Sequence, residues 1–225
     1  MKLFHPLLII RILSTILLIE SISFLFCIPV CSIYKEPAAP FIWSALITFS
    51  VSVVFSLLAQ GANKASFSNR DGYLVVTFAW IIFIIGGTLP YMLSGVIPSF
   101  TDAFFECSSG FTTTGSTIIP DLDVVPRSIM FWRSFTHWIG GLGIIALVII
   151  ILPSLRITGY QLFTLESSLK EKILPRTKSI GYRVLIIYLG LTIAEILFLV
   201  AGDMDLFESI CHTFGTVATG GFGVK

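Results

Sequence analysis

The sequence predicts an all-α integral membrane protein built from helix–pore loop–helix repeats. Three observations lead to this fold class. Of the 225 residues, 55% are hydrophobic and only 12% are charged, which is typical of chains that lie in a bilayer. Several apolar runs have the length of a membrane-spanning helix. Two shorter apolar segments are each followed by a polar stretch that contains glycine. We expect one complete and one partial repeat, preceded by an extra transmembrane helix pair.

Five stretches are long enough to cross the hydrocarbon core of a membrane, which takes about 20 apolar residues. They are Leu7–Ile33, Phe41–Ala59, Tyr73–Leu93, Ile129–Leu152 and Val184–Ala201. The first run is too long for the apolar part of a signal peptide, and no small-residue cleavage site follows it, so we interpret it as an uncleaved helix. The spans divide the chain into an amino-terminal helix pair (1–60), a first repeat (61–155), a cytoplasmic loop (156–183) and an incomplete second repeat (184–225).

Two acidic residues, Glu20 and Glu195, lie in the middle of predicted spans. An acidic side chain at the centre of a membrane helix costs about 2.5–3.5 kcal/mol. We therefore expect both to face protein rather than lipid. For Glu195, a structural hydrogen bond and a role in an ion path remain equally open.

The basic residues indicate how the chain is oriented. Segments 1–11, 60–72 and 153–183 hold ten of the 14 Lys and Arg residues, and all three fall on one side of the predicted spans. The positive-inside rule places this side in the cytoplasm, together with the amino terminus. Segments 94–128 and 202–225 then lie outside. The net charge of +1 gives no indication of a nucleic-acid partner.

The two outer segments resemble each other. "FFECSSGFTTTGST" (104–117) aligns with "SICHTFGTVATGGF" (209–222) at an offset of 105, which pairs Gly115 with Gly220. In both, an apolar piece of about ten residues precedes the polar stretch; ten helical residues span about 15 Å, half a bilayer. Ser99 or Thr101 is the expected cap of the first short helix. The pattern predicts a re-entrant half-helix with a polar return.

The polar return "TTTGS" suits ion coordination. Irregular backbone at membrane depth is tolerated where it lines a water-filled cavity. An extended stretch of Thr and Gly presents successive carbonyl oxygens, which replace the hydration shell of a cation. Taken alone, the string is typical of an ordinary outer turn; its repetition after a second short helix favours a pore loop. Glu106, in the first half-helix, is expected to support the loop rather than to touch the ion.

Four motifs resemble the Trk/Ktr/HKT potassium-transport superfamily, in particular the amino-terminal part of the bacterial Trk membrane subunit. They are "SNRDGYLVV" (68–76), "TDAFFECSSGFTTTGST" (101–117), "FWRSFTHWIGGLGIIALVIIILP" (131–153) and "FESICHTFGTVATGGF" (207–222). The resemblance implies four repeats around one ion path in the bacterial inner membrane. The filter strands that it implies are Thr112, Thr113, Thr114 and Gly115, followed by Val217, Ala218, Thr219 and Gly220.

The resemblance also implies function and partners. It implies that the chain takes up K⁺ as an ion-conducting subunit, with K⁺ as the transported ion and no bound cofactor. Besides membrane lipid, it implies a cytosolic nucleotide-binding regulatory subunit and a homodimer. Because the chain ends at Lys225, soon after the second polar stretch, it looks like a fragment that is inactive alone.

Other functions remain as alternatives. One is an intramembrane metal-dependent enzyme, for which Glu20, His137, Glu195 and His212 are the candidates, although they form no ligand motif. Another is a membrane protein that transports nothing. The four cysteines have no zinc-ligand spacing and are interpreted mainly as apolar packing residues. "GGLG" (140–143) indicates close helix packing, and Arg133 with Trp138 indicates the outer membrane interface.

Overall fold

The computed structural model describes residues 5–61, 69–151 and 173–224, and within these ranges all regular structure is helical. The helices are α1 (Pro6–Leu25), α2 (Ile28–Tyr34), α3 (Ala39–Leu58), α4 (Asn69–Gly87), α5 (Leu89–Leu93), α6 (Phe100–Phe111), α7 (Arg127–Ile151), α8 (Ile173–Ala201) and α9 (Leu206–Val217). The all-α fold class is confirmed.

Four helical stretches of the described residues are long and apolar enough to cross a membrane: Pro6–Tyr34, Ala39–Leu58, Asp71–Leu93 and Gly181–Ala201. They confirm four of the five predicted spans. The remaining span, Ile129–Leu152, belongs to the 25-residue α7 as far as Ile151, and Leu152 lies outside the described residues. α7 is not among the four stretches above. Its most apolar part follows Gly143, where the structure describes the backbone but not the side chains.

The predicted cytoplasmic loop differs from the structure at its end. Residues 152–172 lie outside the described residues, but α8 begins at Ile173, well before the predicted start of the span at Val184. The helix begins before the apolar stretch does. The apolar pattern therefore predicts the membrane span but not the start of the helix.

The amino-terminal helices pack along each other through small hydroxyl residues. Ser21 Oγ of α1 donates to the carbonyl of Ala45 in α3 at 2.9 Å, and Ser52 Oγ of α3 donates to the carbonyl of Ser14 at 2.6 Å. Such hydrogen bonds between helices stabilise association where lipid gives no hydrophobic drive. Glu20 of α1 is fully buried, which confirms that it faces protein.

Two carboxylates, Asp71 and Glu36, form hydrogen bonds between the amino-terminal segment and later helices. Asp71, at the start of α4, accepts hydrogen bonds from the backbone N–H and the ring of His5 at 2.9 and 3.0 Å. Glu36 accepts from the backbone N–H groups of Arg127 and Ser128 at 2.7 and 2.9 Å. The first N–H groups of α7 lack partners within the helix, so Glu36 satisfies them from outside.

Glycines let the helices approach around α6. An added Cβ at Gly87 would collide with Cys107 Sγ, and one at Gly140 would collide with the carbonyl of Phe111. At Gly141 it would crowd Tyr188 and Ala218. The close packing expected from "GGLG" is therefore confirmed, and it brings α7 against the ends of both short helices.

Candidate functional site

The two short helices α6 and α9 have matching lengths and matching caps. Each has twelve residues and so spans about 18 Å, little more than half of the hydrocarbon core. Ser99 caps α6 by accepting from Asp102 N at 3.5 Å, which confirms Ser99 as the expected cap. Asp205 caps α9 by accepting from Phe207 N at 3.0 Å. Both are half-helices in length.

The first polar return leaves α6 in a defined backbone conformation. The N–H groups of Thr113 and Thr114 donate to the carbonyls of Gly110 and Ser109 at 3.0 and 2.9 Å. Thr113 and Gly115 have positive φ values of 55° and 80°, whereas Thr114 between them does not. This alternation turns successive peptide groups, so the return is a twisted loop and not the extended strand expected from the sequence.

The second polar return repeats this conformation 106 residues later. Thr219 and Gly221 have φ values of 57° and 89°, and Gly220 between them has no positive φ. Thr219 N donates to the carbonyl of Thr216 at 2.9 Å, and Gly220 N to that of Gly215 at 2.7 Å. The positive φ values and both hydrogen bonds match those of the first return at an offset of 106 residues.

The sequence alignment at an offset of 105 is therefore wrong by one residue. Gly115 corresponds to Gly221 and not to Gly220, and the four-residue segment 218–221 corresponds to 112–115. Val217, expected in the second strand, is the last residue of α9. The helix caps could have indicated the right alignment, because pairing the N-cap residues Ser99 and Asp205 gives an offset of 106 residues.

The two returns touch each other. A Cβ added at Gly115 would collide with the carbonyl oxygen of Gly220, so the backbones of the two loops are in direct contact. Thr112 and Thr114 are exposed, as is Thr219, whereas Ala218 and Gly220 are buried. A cavity of about 390 Å³ opens beside the second return, lined by His212, Gly215, Thr216 and residues 219–223.

Glu106 holds the first return from behind. This carboxylate is fully buried and accepts hydrogen bonds from the hydroxyl of Thr117 at 2.9 and 3.0 Å and from Ile118 N at 3.0 Å. It also accepts from Arg133 Nε at 2.6 Å. Its contacts are those of a residue that supports the loop, as expected from the sequence.

Arg133 is enclosed by protein. Expected at the outer membrane interface, it is 1% exposed, because it pairs with Glu106 and donates through Nη1 to the carbonyl of Gly223 at 2.8 Å. Trp138, expected in the same place, is half-buried and donates from Nε1 to Thr192 of α8 at 3.0 Å. The sequence did not indicate this burial, because the partners of Arg133 are distant in the chain.

His137 packs against the second return. Its ring stacks on Phe222 with centroids 4.0 Å apart and planes 12° apart, and it abuts Gly220 so closely that a Cβ there would collide with it. Neither ring nitrogen has a hydrogen-bond partner among the described residues. His137 thus contacts the second return by packing.

The residues named for a metal-dependent enzyme lie on four different helices. No group of three or more His, Cys, Asp or Glu residues that suits a metal ion occurs in the described part of the chain. Glu20 is on α1, His137 on α7, Glu195 on α8 and His212 on α9. All four cysteines are buried and none forms a disulfide.

Comparisons with known proteins find related sequences along most of the chain. A TrkH family model, described as a cation transport protein, matches residues 41–225. The "Trk system potassium uptake protein TrkH" of Vibrio parahaemolyticus is 39% identical over 228 residues, covering 95% of this chain and 45% of that protein. The "Trk system potassium uptake protein TrkG" of Escherichia coli strain K12 is 34% identical over 212 residues, covering 90% of this chain and 42% of that protein.

A solved structure matches nearly the whole chain. The crystal structure of the potassium transporter TrkH from Vibrio parahaemolyticus superposes with a TM-score of 0.85 at 34% sequence identity. The match covers 99% of this chain and 45% of that one. The chain thus spans less than half the length of the relatives that it matches.

Proposed function

The chain belongs to the TrkH family of cation transport proteins, and from this premise we propose that it takes up potassium as the ion-conducting part of a bacterial inner-membrane transporter. One observation carries the proposal: two half-helices end in loops of the same backbone conformation, and these loops meet at Gly115 and Gly220. A pair of equivalent loops in contact is what an ion path shared between repeats requires.

Selection is proposed to rest on backbone carbonyls. Oxygens of residues 112–115 and 218–221 replace part of the hydration shell of K⁺, and the Thr hydroxyls add further oxygens. The alternating sign of φ favours this, because it turns successive carbonyls of a loop toward one side. The carboxyl ends of α6 and α9 each carry about half a negative charge and so attract a cation. The process involves no covalent chemistry.

The proposed filter residues are those of the sequence analysis with the second segment shifted by one residue. Thr112, Thr113, Thr114 and Gly115 form the first segment, and Ala218, Thr219, Gly220 and Gly221 form the second. Val217, predicted from the sequence, is left out because it ends α9, and Gly221 is added. The addition is supported by the φ of Gly221, which matches that of Gly115.

Orientation and partners complete the proposal. The basic segments favour a cytoplasmic amino terminus, with the two loops opening to the outside. The resemblance of the sequence to the Trk/Ktr/HKT superfamily favours a cytosolic nucleotide-binding regulatory subunit and a homodimer, and the relatives are named for a Trk system. Potassium is the transported ion, and no bound cofactor is needed.

The test is ion uptake by a chimera in which residues 1–225 replace the matching part of the Vibrio parahaemolyticus relative, since that protein is about twice as long. In cells that lack their own potassium uptake, the chimera should restore growth at low K⁺ and take up Rb⁺ in preference to Na⁺. The intact relative serves as the positive control. A chimera that reaches the membrane in equal amount but takes up neither ion would overturn the proposal.

A further inference from the structure

Arg133 of α7 connects the surroundings of the two returns: it donates to Glu106, which holds the segment after the first return, and to the carbonyl of Gly223, just after the second. We infer that Arg133 is a positioning residue that fixes the first and second loops relative to each other and thereby sets the preference for K⁺ over Na⁺. The inference rests on the proposed function, because it assigns a specificity-determining role within the same site.

One side of the guanidinium holds the first loop indirectly. Arg133 Nε donates to Glu106 Oε1 at 2.6 Å. The same carboxylate accepts from the hydroxyl of Thr117 and the N–H of Ile118, just after the filter segment. The first loop is thus anchored to α7 through Glu106.

The other side holds the second loop directly. Arg133 Nη1 donates to the carbonyl of Gly223 at 2.8 Å, and the guanidinium carbon lies 3.6 Å from the centroid of the Phe222 ring. Both residues follow Gly221 immediately. A planar guanidinium can form a fork of hydrogen bonds and stack on an aromatic ring at once, which the ammonium of Lys cannot do.

Burial makes this link rigid. Arg133 is 1% exposed and Glu106 is fully buried, so water does not compete for their hydrogen bonds. Removing one partner of a buried ion pair leaves an uncompensated charge and strongly destabilises a protein. The loops meet at Gly115 and Gly220, and Arg133 connects them a second time through Glu106 and Gly223. A shift of one loop therefore changes the spacing of carbonyl oxygens around the ion.

The test compares three variants of the chimera. Arg133→Lys keeps the positive charge beside Glu106 but loses the fork and the stacking. The double variant Glu106→Gln with Arg133→Gln removes both charges, so it leaves no unpaired ion. Arg127→Gln is the matched control, because this arginine of the same helix lies over the Phe207 ring of α9 at 5.1 Å, and its side chain forms no hydrogen bond with Glu106 or Gly223.

Both Arg133 variants should reach the membrane in near-normal amount, yet their uptake ratio of K⁺ to Na⁺ should fall about tenfold, which corresponds to about 1.4 kcal/mol. Arg127→Gln should keep the ratio of the parent chimera. If the double variant has the same K⁺ to Na⁺ uptake ratio as the parent chimera and reaches the membrane in the same amount, Arg133 merely neutralises Glu106. That result would overturn the inference. If the parent chimera itself takes up neither ion, the proposed function has failed instead.

Discussion

The Cα of Gly115 lies against the carbonyl oxygen of Gly220, so the two polar returns meet backbone to backbone with no side chain between them. Gly115 also has a φ of 80°, a conformation that residues with a Cβ adopt at a cost. The contact and the backbone conformation together make Gly115 the most constrained position of the site.

Gly115→Ala should therefore be more harmful than Gly221→Ala. At Gly221 an added methyl group meets nothing within 4 Å, so the variant bears only the strain of its positive φ, about 1–3 kcal/mol. At Gly115 the methyl group also displaces the Gly220 carbonyl. Measured in the chimera, the K⁺ to Na⁺ uptake ratio should fall in both, and further in Gly115→Ala. Gly190→Ala on α8, where nothing lies within 4 Å, is the control. Equal ratios in all three variants would show that the loops do not select the ion.

Gly140→Ala should lower thermal stability by separating α7 from α6. The new Cβ would collide with the carbonyl of Phe111, which is backbone and cannot rotate away. Overpacking of this kind costs about 1–3 kcal/mol. Gly143→Ala, whose Cβ would make ordinary contact with Trp80 at 3.6 Å, should leave the unfolding temperature of the detergent-solubilised chain nearly unchanged. A similar decrease in both variants would show that the contact with the Phe111 carbonyl is not what makes Gly140→Ala destabilising.

Gly86 and Glu20 should behave as a coupled pair. The three atoms nearest to a Cβ at Gly86 all belong to the Glu20 carboxyl group, and neither of its oxygens has a hydrogen-bond partner among the described residues. Gly86→Ala should lower the unfolding temperature in the native background but not in a Glu20→Ala background. The four unfolding temperatures form a double-mutant cycle, in which residues in contact show coupling of about 0.5–3 kcal/mol. Additive effects would contradict the contact.

Cysteine labelling should distinguish the two sides of the membrane. The four native cysteines are buried, so background labelling by an impermeant thiol reagent should be low. In intact cells, Asp123→Cys should react, since Asp123 is exposed in the segment expected outside. A cysteine introduced within 160–170 should react only after the cells are opened. The reverse pattern would place the loops on the cytoplasmic side and contradict the proposed direction of uptake.

The sequence predicts those features of the chain that depend on local pattern. The length of the apolar runs predicts the spans. The cap Ser99 and the short apolar segment after it predict the half-helix α6. The register of the second loop was missed by one residue because Gly220 and Gly221 are adjacent, and the wrong alignment gives three identities in the quoted segments against two for the right one. Their backbone φ values make the choice.

Features that depend on distant contacts were not predictable. Arg133 is buried because Glu106, 27 residues earlier, and Gly223, 90 residues later, come to lie on either side of it. His137 stacks on Phe222 for the same kind of reason. Helix periodicity gives a side chain its face on a helix, but it does not tell which other segment covers that face.

The central claim is that the two loops coordinate the transported ion, and the most direct test is the position of Rb⁺ in a crystal of the chimera, located by its anomalous scattering. Rb⁺ should lie between residues 112–115 and 218–221, with backbone carbonyl oxygens of both segments as ligands. Soaking in Na⁺ should remove this signal. Rb⁺ bound elsewhere in the membrane region, with no signal between the two loops, would contradict the account.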